Sequence, residues 1–111
     1  MNDIFLKIIN HELDAKFIYE DDKCVAFYDK FPLQPGHFLV VPKERSKNIT
    51  EADDATAAHL INVARKLAKK EILDKGIPAF KILINTGKEA DQTIFHTHIH
   101  VIPYTDNVED K

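Results

Sequence analysis

Apolar residues follow two different spacings along this chain, and each spacing predicts one kind of element. Near the N-terminus they recur every three to four positions, at Ile4, Phe5, Ile8 and Ile9, which is the spacing of one helical face. Residues 3–10 are therefore predicted to form a short helix. Several other apolar runs are short and rich in β-branched and aromatic residues, which is typical of strands.

A longer stripe of helical spacing lies in the middle of the chain. It comprises Leu60, Val63, Ala64, Leu67, Ala68 and Ile72. Thr50, followed three residues later by Asp53, resembles a capping box and places the start of this helix at Thr50. Gly76 and Pro78 are residue types that end helices, so we expect one long helix that stops before them.

The strand-like runs lie at residues 16–22, 24–29, 37–42, 79–85 and 93–103. A charged turn at residues 20–23 separates the first two. Residues 30–37 contain two prolines and a glycine and are predicted to form a loop, and residues 85–92 form a second, polar loop. Helix, strands, helix and strands follow one another in that order, which predicts an α+β domain with a mostly antiparallel sheet.

Length and composition narrow the class of protein. The chain has 111 residues, which fits a single domain over residues 1–111. Its net charge of −3 argues against a nucleic-acid partner, and no apolar run approaches the ~20 residues of a membrane span. Cys24 is the one cysteine, so no internal disulfide is expected. With no basic, apolar signal sequence at the N-terminus, these features favour a cytoplasmic location.

The most unusual chemistry lies in the last predicted strand, where His96, His98 and His100 occupy alternate positions. Successive side chains of a strand point to opposite faces, so the three imidazoles are expected to share one face. A short apolar strand would ordinarily use such positions for packing. Three histidines in register therefore indicate a functional site.

Two kinds of site use histidines in this pattern. In a zinc site, His96 and His98 could converge on one ion, with His37 or a carboxylate completing the coordination. All three strand histidines could hardly do so, because the outer two would be ~13 Å apart. In a phosphoryl- or nucleotidyl-transfer site, one neutral imidazole is the nucleophile, while its neighbours bind phosphate oxygens and protonate the leaving group. The residues alone leave both alternatives open.

The loop before this strand suits a phosphate. Asn85, Gln92 and Thr93 offer amide and hydroxyl groups, and Gly87 allows a tight turn that exposes backbone N–H groups. The remaining histidines carry less information. His37 follows Gly36 and is by itself typical of a turn or strand edge. No chemistry is assigned to His11 or His59.

Together these stretches resemble a known family. The His-x-His-x-His pattern of residues 96–100, followed by apolar residues, resembles the histidine-triad (HIT) motif. The stretches DIFLKIIN, AKFIYEDDKCVAFYD and FPLQPGHFLVVPKE, with the spacing of Asn85, Gln92 and His96, are similar to the Hint branch, the histidine triad nucleotide-binding proteins. The resemblance implies a HIT-like α+β subunit with a five-stranded antiparallel sheet, one long helix and one short helix. It also implies a homodimer in which the sheet continues across the two subunits.

The resemblance also implies an activity. Hint proteins bind purine mononucleotides of the AMP type and cleave the bond between the α-phosphate and its leaving group, usually an amine, without a cofactor or metal. His98 would be the nucleophile and form a covalent nucleotidyl-histidine, His100 would lie near the phosphate and leaving group, and His96 and His37 would support them. The nucleotide-binding positions would be Asp29, Lys30, Asn85, Asp91, Gln92, Thr93, His98 and His100. The apolar residues Ile4, Phe5 and Ile8 could help to form the base pocket.

Three departures from the family pattern bear on specificity. Asp91 stands where the family usually has glycine, and its carboxylate would repel phosphate if it pointed inward. Arg45 stands where a further histidine often occurs, and the chain stops soon after Pro103. Three alternatives therefore accompany the phosphoramidase. They are a dinucleoside polyphosphate hydrolase, a non-catalytic nucleotide-binding protein, and a zinc protein that uses His96 and His98.

Overall fold

A five-stranded antiparallel sheet forms the centre of the structure, a computed structural model that describes residues 3–105. The chain forms α1 (Ile4–Ile9), β1 (Phe17–Glu20), β2 (Cys24–Tyr28), β3 (Phe38–Pro42), α2 (Asp54–Glu71), β4 (Ala79–Leu83) and β5 (Ile99–Tyr104). Two 3-10 turns, Leu73–Lys75 and Lys88–Ala90, lie in the connections. The strand order is β1-β2-β3-β5-β4, so the predicted α+β class with one long and one short helix is confirmed. The ends of the predicted domain, residues 1–2 and 106–111, lie outside the described residues.

The two central strands β2 and β3 are covered on both faces. One set of alternate residues in β2 and β3 packs with the apolar stripe of α2, namely Cys24, Ala26, Phe38 and Val40. The residues between them, Val25, Phe27, Leu39 and Val41, pack with α1. Because a strand alternates its side chains, a continuous apolar run such as CVAFY can serve two cores at once. One helix therefore lies on each face, and α1 lies on the face that carries the site described below.

The start of α2 differs from the sequence prediction. The residue that caps it is Asp53, whose carboxylate accepts the Thr56 N–H at 2.8 Å, and the helix begins at Asp54. Thr50 instead donates its hydroxyl to the Asn48 side chain at 2.7 Å, within a turn that precedes the helix. Placing the cap at Thr50 was therefore wrong, because a short polar side chain can cap either a turn or a helix. At the other end, Gly76 takes a left-handed conformation with φ 89° and turns the chain toward β4.

The last strand is shorter than predicted. The other four strands match their predicted segments to within two residues, whereas β5 begins only at Ile99 and leaves His96 and His98 outside it. Thr97, within the predicted strand, bonds to the segment after β3 instead of forming a backbone ladder with a neighbouring strand. The Thr97 N–H donates to the Ser46 carbonyl at 2.8 Å, and the two hydroxyl groups lie 2.6 Å apart. Only His100 of the three histidines pairs within the sheet, opposite Leu39 and Leu83.

Neither helix within residues 3–105 is long and apolar enough to cross a membrane.

Candidate active site

A cleft of about 1080 Å³ opens on the face of the sheet that α1 covers. One wall is apolar and includes Ile4, Phe5, Ile8, Phe27, Leu39 and Ile94. The polar residues that line the cleft include Asp29, Lys30, Asn85, Asp91, Thr93, His98 and His100. A space of this volume, with one apolar side and one polar side, is typical of a site for a small molecule that has both kinds of surface.

The rings of the histidines converge although two of them precede the strand. The ring centroids of His98 and His100 lie 4.9 Å apart, and those of His100 and His37 lie 5.2 Å apart. Phe5 of α1 packs edge-on against His98, with centroids 4.9 Å apart. His98, His100 and His37 therefore cluster, whereas His96 does not line the cleft, so the prediction that all three histidines share one face of a strand was wrong. The segment that carries His98 is held by Ser46 and Thr97 and not by the alternation of a strand.

Hydrogen bonding determines which nitrogen of His98 carries its proton. Its Nδ1 lies 2.7 Å from the carbonyl oxygen of His96, which can only accept, so Nδ1–H must be the donor. Burial is the main cause that lowers the pKa of His98, and it outweighs the opposing effect of this hydrogen bond. The ring is therefore neutral near pH 7, and Nε2 keeps an unprotonated lone pair at the cleft that His98 lines.

A second chain of hydrogen bonds gives His100 the opposite tautomer. The Leu33 N–H donates to Nδ1 of His37 at 3.1 Å, so neutral His37 carries its proton on Nε2. That Nε2 lies 2.9 Å from Nδ1 of His100 and donates to it. His100 must then hold its own proton on Nε2. Burial is the main cause that lowers the pKa of His37 and that lowers the pKa of His100 to about 4.

Asp29 lies beside this pair of histidines. Its Oδ2 is 3.5 Å from Nε2 of His37, while its Oδ1 accepts the Phe31 N–H at 2.9 Å. The second bond holds the carboxylate at the edge of the cleft. Asp29 and Lys30 both line the cleft, and the nucleotide contacts that the resemblance implies for them stay predictions.

The fully buried His96 lies behind the cleft. Its Nδ1 is 2.8 Å from Oδ2 of Asp3, and its Nε2 is 2.8 Å from the carbonyl oxygen of Pro42. Arg45 approaches the same carboxylate oxygen of Asp3 at 2.9 Å. The sequence interpretation missed Asp3 altogether. The available signal was its position directly before an apolar helical pattern, which is typical of an N-cap.

The phosphate-loop residues divide into two groups. Asn85, Asp91 and Thr93 line the cleft, but Gln92 is buried and does not. Its Oε1 accepts the Gly87 N–H at 2.9 Å, and its Nε2 donates to the carbonyls of Lys47 and Ile94 at 2.8 and 3.0 Å. The amide of Gln92 is therefore occupied by backbone groups. In this arrangement it braces the loop, and the direct contact with the ligand that the resemblance implies stays a prediction.

Asp91 occupies a backbone conformation that favours glycine. Its φ is 70° in the left-handed region, at the end of the 3-10 turn Lys88–Ala90. Aspartate is one of the few other residue types that adopt this region readily, and this explains how it can replace a glycine here. Its exposed carboxylate adds negative charge to the cleft beside the phosphate-loop residues.

Two groups of possible metal ligands occur within residues 3–105. One is Asp29 and His100 of the cleft with the buried His37 beside them, and the other is Asp21 of the β1–β2 turn and Cys24 of β2 with His59 of α2. The zinc alternative based on His96 and His98 is wrong as stated, because the structure engages both nitrogens of His96 and Nδ1 of His98 in other contacts. His59, to which no role was assigned, lies 2.7 Å from Oδ2 of Asp21 and so links α2 to the β1–β2 turn.

Comparisons with known proteins identify the family and match the fold. The sequence profile described as "HIT domain" matches residues 10–107. A HIT-like protein of 13.1 kDa from Mesomycoplasma hyorhinis, described as uncharacterized, is 50% identical over 102 residues and 92% of each chain. A hypothetical histidine triad nucleotide-binding protein from Sulfolobus tokodaii superposes with a TM-score of 0.86 at 40% identity, over 93% of this chain and 69% of that one. A HIT family hydrolase from Clostridium thermocellum superposes with a TM-score of 0.83 at 34% identity, over 95% and 92%.

Proposed function

Because this chain belongs to the HIT domain family, we propose that it is a hydrolase that cleaves the bond between a purine nucleotide's α-phosphate and an amine leaving group. The reaction proceeds through a nucleotide covalently attached to His98. One observation carries the proposal. His98 and His100 are adjacent neutral rings with opposite tautomers, so a lone pair and an N–H serve the same cleft.

The walls of the cleft support the orientation of such a substrate. The apolar residues of α1 suit a flat base, and the carboxylate of Asp29 suits the two hydroxyl groups of a ribose, to which it can accept hydrogen bonds. Asn85 and Thr93 would then contact the phosphate. In this orientation the phosphorus approaches the histidines, and the leaving group points toward the open side of the cleft.

The first chemical step forms a bond between Nε2 of His98 and the phosphorus and breaks the bond from phosphorus to the leaving nitrogen. The negative charges of the bound phosphate and of nearby Asp29 stabilise a positive charge, so the His37–His100 pair holds one additional proton when the substrate is bound. His100 transfers a proton to the departing amine, and the pair becomes neutral. A water molecule then attacks the phosphorus, its proton returns to the pair, and AMP is released from His98.

We propose the phosphoramidase activity of the Hint branch, because the charge of Asp91 favours an amine over a phosphate as the leaving group. A dinucleoside polyphosphate would place a further anionic phosphate in a cleft that already contains this carboxylate. A neutral or cationic amine meets no such repulsion. Hydrolysis rates for an adenosine phosphoramidate and a diadenosine polyphosphate, measured side by side, would distinguish the two activities. Faster cleavage of the polyphosphate would reject the choice made here.

The decisive experiment uses adenosine 5′-phosphoramidate. With the wild-type chain, rapid acid quench and mass spectrometry should detect an AMP adduct on the peptide that contains His98. His98→Ala should abolish turnover and the adduct while still binding AMP. The matched control is His11→Ala, because His11 is exposed and its ring contacts Phe17 outside the cleft. Turnover retained by His98→Ala would refute the mechanism, and AMP binding without any turnover by the wild type would favour a non-catalytic nucleotide-binding protein.

We also propose the homodimer that the resemblance implies. Strand β4 lies at one edge of the sheet and pairs only with β5 among the described residues. An open edge strand offers backbone N–H and C=O groups to a second chain, and the exposed Ile61 of α2 adds apolar surface. Light scattering coupled to size-exclusion chromatography should give twice the mass of one chain. A monomer at working enzyme concentrations would reject this part of the proposal.

A further inference from the structure

The buried ring of His96 lies between two groups that can both accept a hydrogen bond. The carbonyl oxygen of Pro42 faces Nε2, so Nε2 must carry a proton. Asp3 faces Nδ1 at 2.8 Å, and the protonation of its carboxyl group decides which partner donates there. If Asp3 is a carboxylate, both ring nitrogens must be protonated and His96 carries a positive charge.

The other partners of Asp3 show that it is a carboxylate. Its Oδ1 accepts the N–H groups of Phe5 and Leu6 at 3.0 and 3.2 Å, and its Oδ2 accepts Nε–H of Arg45 at 2.9 Å. These three partners are all donors, so Nδ1 of His96 is the one acceptor that the contacts above offer to a carboxyl proton. A proton on Oδ2 would compete there with the hydrogen bond from Arg45, which favours the carboxylate. Burial alone would raise the pKa of Asp3, but its interactions with His96, the Leu6 N–H and Arg45 together outweigh burial and leave the pKa below its usual value.

We infer that Asp3 holds His96 as a doubly protonated imidazolium, and that this buried ion pair positions the nucleophilic His98 and keeps it neutral. The catalytic consequence rests on the proposed function, whereas the charge of His96 does not. In this arrangement the first histidine of the motif never reacts with the substrate. Asp3 acts through it as a positioning residue.

Two sets of contacts and one electrostatic effect link the Asp3–His96 pair to His98 in the cleft. The carbonyl oxygen of His96 receives Nδ1–H of His98 at 2.7 Å, so a fixed His96 fixes the nucleophile's tautomer. Asp3 also caps α1 through the Phe5 N–H, and the Phe5 ring packs against His98. Finally, a positive charge on His96 disfavours a second one on its neighbour His98, which preserves the lone pair at Nε2.

The charge of His96 can be measured without substrate. Two-bond ¹H–¹⁵N correlation spectra of the histidine rings at pH 7.5 distinguish an imidazolium from either neutral tautomer. We expect the doubly protonated pattern for His96 and the Nδ1–H tautomer for His98. One bare nitrogen on His96 in the wild-type chain would overturn the inference, and this result does not depend on whether any variant folds.

The role of Asp3 is tested by Asp3→Asn, with Asp53→Asn as the matched control. Asparagine is also a good N-cap, so both variants should keep their helices. Asp53 caps α2 through Thr56 and does not line the cleft. We expect Asp3→Asn to convert His96 to a neutral Nε2–H tautomer, which accepts a hydrogen bond from the asparagine amide, and Asp53→Asn to leave it charged. A doubly protonated His96 in Asp3→Asn would refute the role of Asp3.

Kinetics then separate positioning from folding. Asp3→Asn should lower kcat about tenfold, which is typical of the loss of a group that orients a functional imidazole. Its KM should change less than about twofold, because the α1 wall remains in place. Asp53→Asn should change neither value. An unchanged kcat in Asp3→Asn would reject the positioning role, whereas absence of turnover in the wild type would reject the proposed function and leave the spectroscopic result standing.

Discussion

Gln92 provides a direct test between two roles for the phosphate loop, because the sequence predicts a ligand contact and the structure predicts a brace. Its buried amide forms three hydrogen bonds to backbone groups of Gly87, Lys47 and Ile94. Gln92→Ala would remove all three and leave those groups without their partner. At ~1 kcal/mol for each bond, the loss of unfolding free energy is about 3 kcal/mol.

Urea denaturation monitored by circular dichroism measures this loss. With a slope of ~1.5 kcal/mol/M for a chain of this size, the midpoint should fall by about 2 M. Gln34→Ala, in the loop before His37 and outside the cleft lining, is the control and should change stability by less than ~0.5 kcal/mol. AMP affinity measured below the unfolding transition should fall only modestly, because Asn85 and Thr93 remain.

The opposite pattern would refute the brace. If Gln92 contacts the phosphate directly, Gln92→Ala should weaken AMP binding tenfold or more while lowering stability by less than ~1 kcal/mol. Gln92→Glu sharpens the comparison, because a carboxylate can still accept from the Gly87 N–H but cannot donate to the two carbonyls. We expect it to be destabilised as well, and a fully stable Gln92→Glu would contradict the structure.

Three further predictions concern charge in the cleft. Asp91→Gly should tighten AMP binding roughly two- to fivefold in a calorimetric titration, and the gain is modest because the carboxylate is exposed to solvent. Weaker binding would show that Asp91 does not repel the phosphate. Burial lowers the folded pKa of His98 and brings that of His100 to about 4, so the unfolded chain binds more protons between that value and the ordinary 6.5. The contribution of these two rings to stability should therefore be fully present above pH 6.5 and fall as the pH drops toward 4. A urea midpoint constant across that range would contradict a neutral His98 and His100. Turnover should survive dialysis against EDTA, since the histidines supply both nucleophile and proton donor. Excess zinc should inhibit by binding to Asp29, His37 and His100. Loss of activity with the chelator would indicate a required metal.

Local patterns were sufficient to predict most of the fold. The stripe at residues 60–72 lies on the buried side of α2, and the continuous apolar runs of β2 and β3 lie between two cores, as burial on one or both faces requires. These predictions succeed because each element buries a periodic face of its own, which is a property of a few consecutive residues. The histidine pattern likewise drew attention to the candidate site, because His98 and His100 line the cleft while His96 is buried behind it.

The errors share a different physical cause, which is competition between local and distant hydrogen-bond partners. Asp53 rather than Thr50 caps α2 because the Asn48 side chain already holds the Thr50 hydroxyl. Thr97, among the β-prone residues before Ile99, bonds to Ser46 instead of to a strand. In each case the short-range pattern allowed two arrangements of similar energy, and a contact made in the folded chain selected one.

Tertiary structure decided the protonation states of His96 and His100, whereas partners nearby in the chain set the tautomers of His98 and His37. Asp3 contacts His96 across 93 positions, and His37 contacts His100 across 63. A ring nitrogen becomes a donor or an acceptor according to the group that faces it at hydrogen-bonding distance, and the partners of His96 and His100 lie far from them along the chain. The order of residues thus supplies the imidazoles, whereas folding supplies the carboxylate and carbonyl groups that determine which of their nitrogens carry protons.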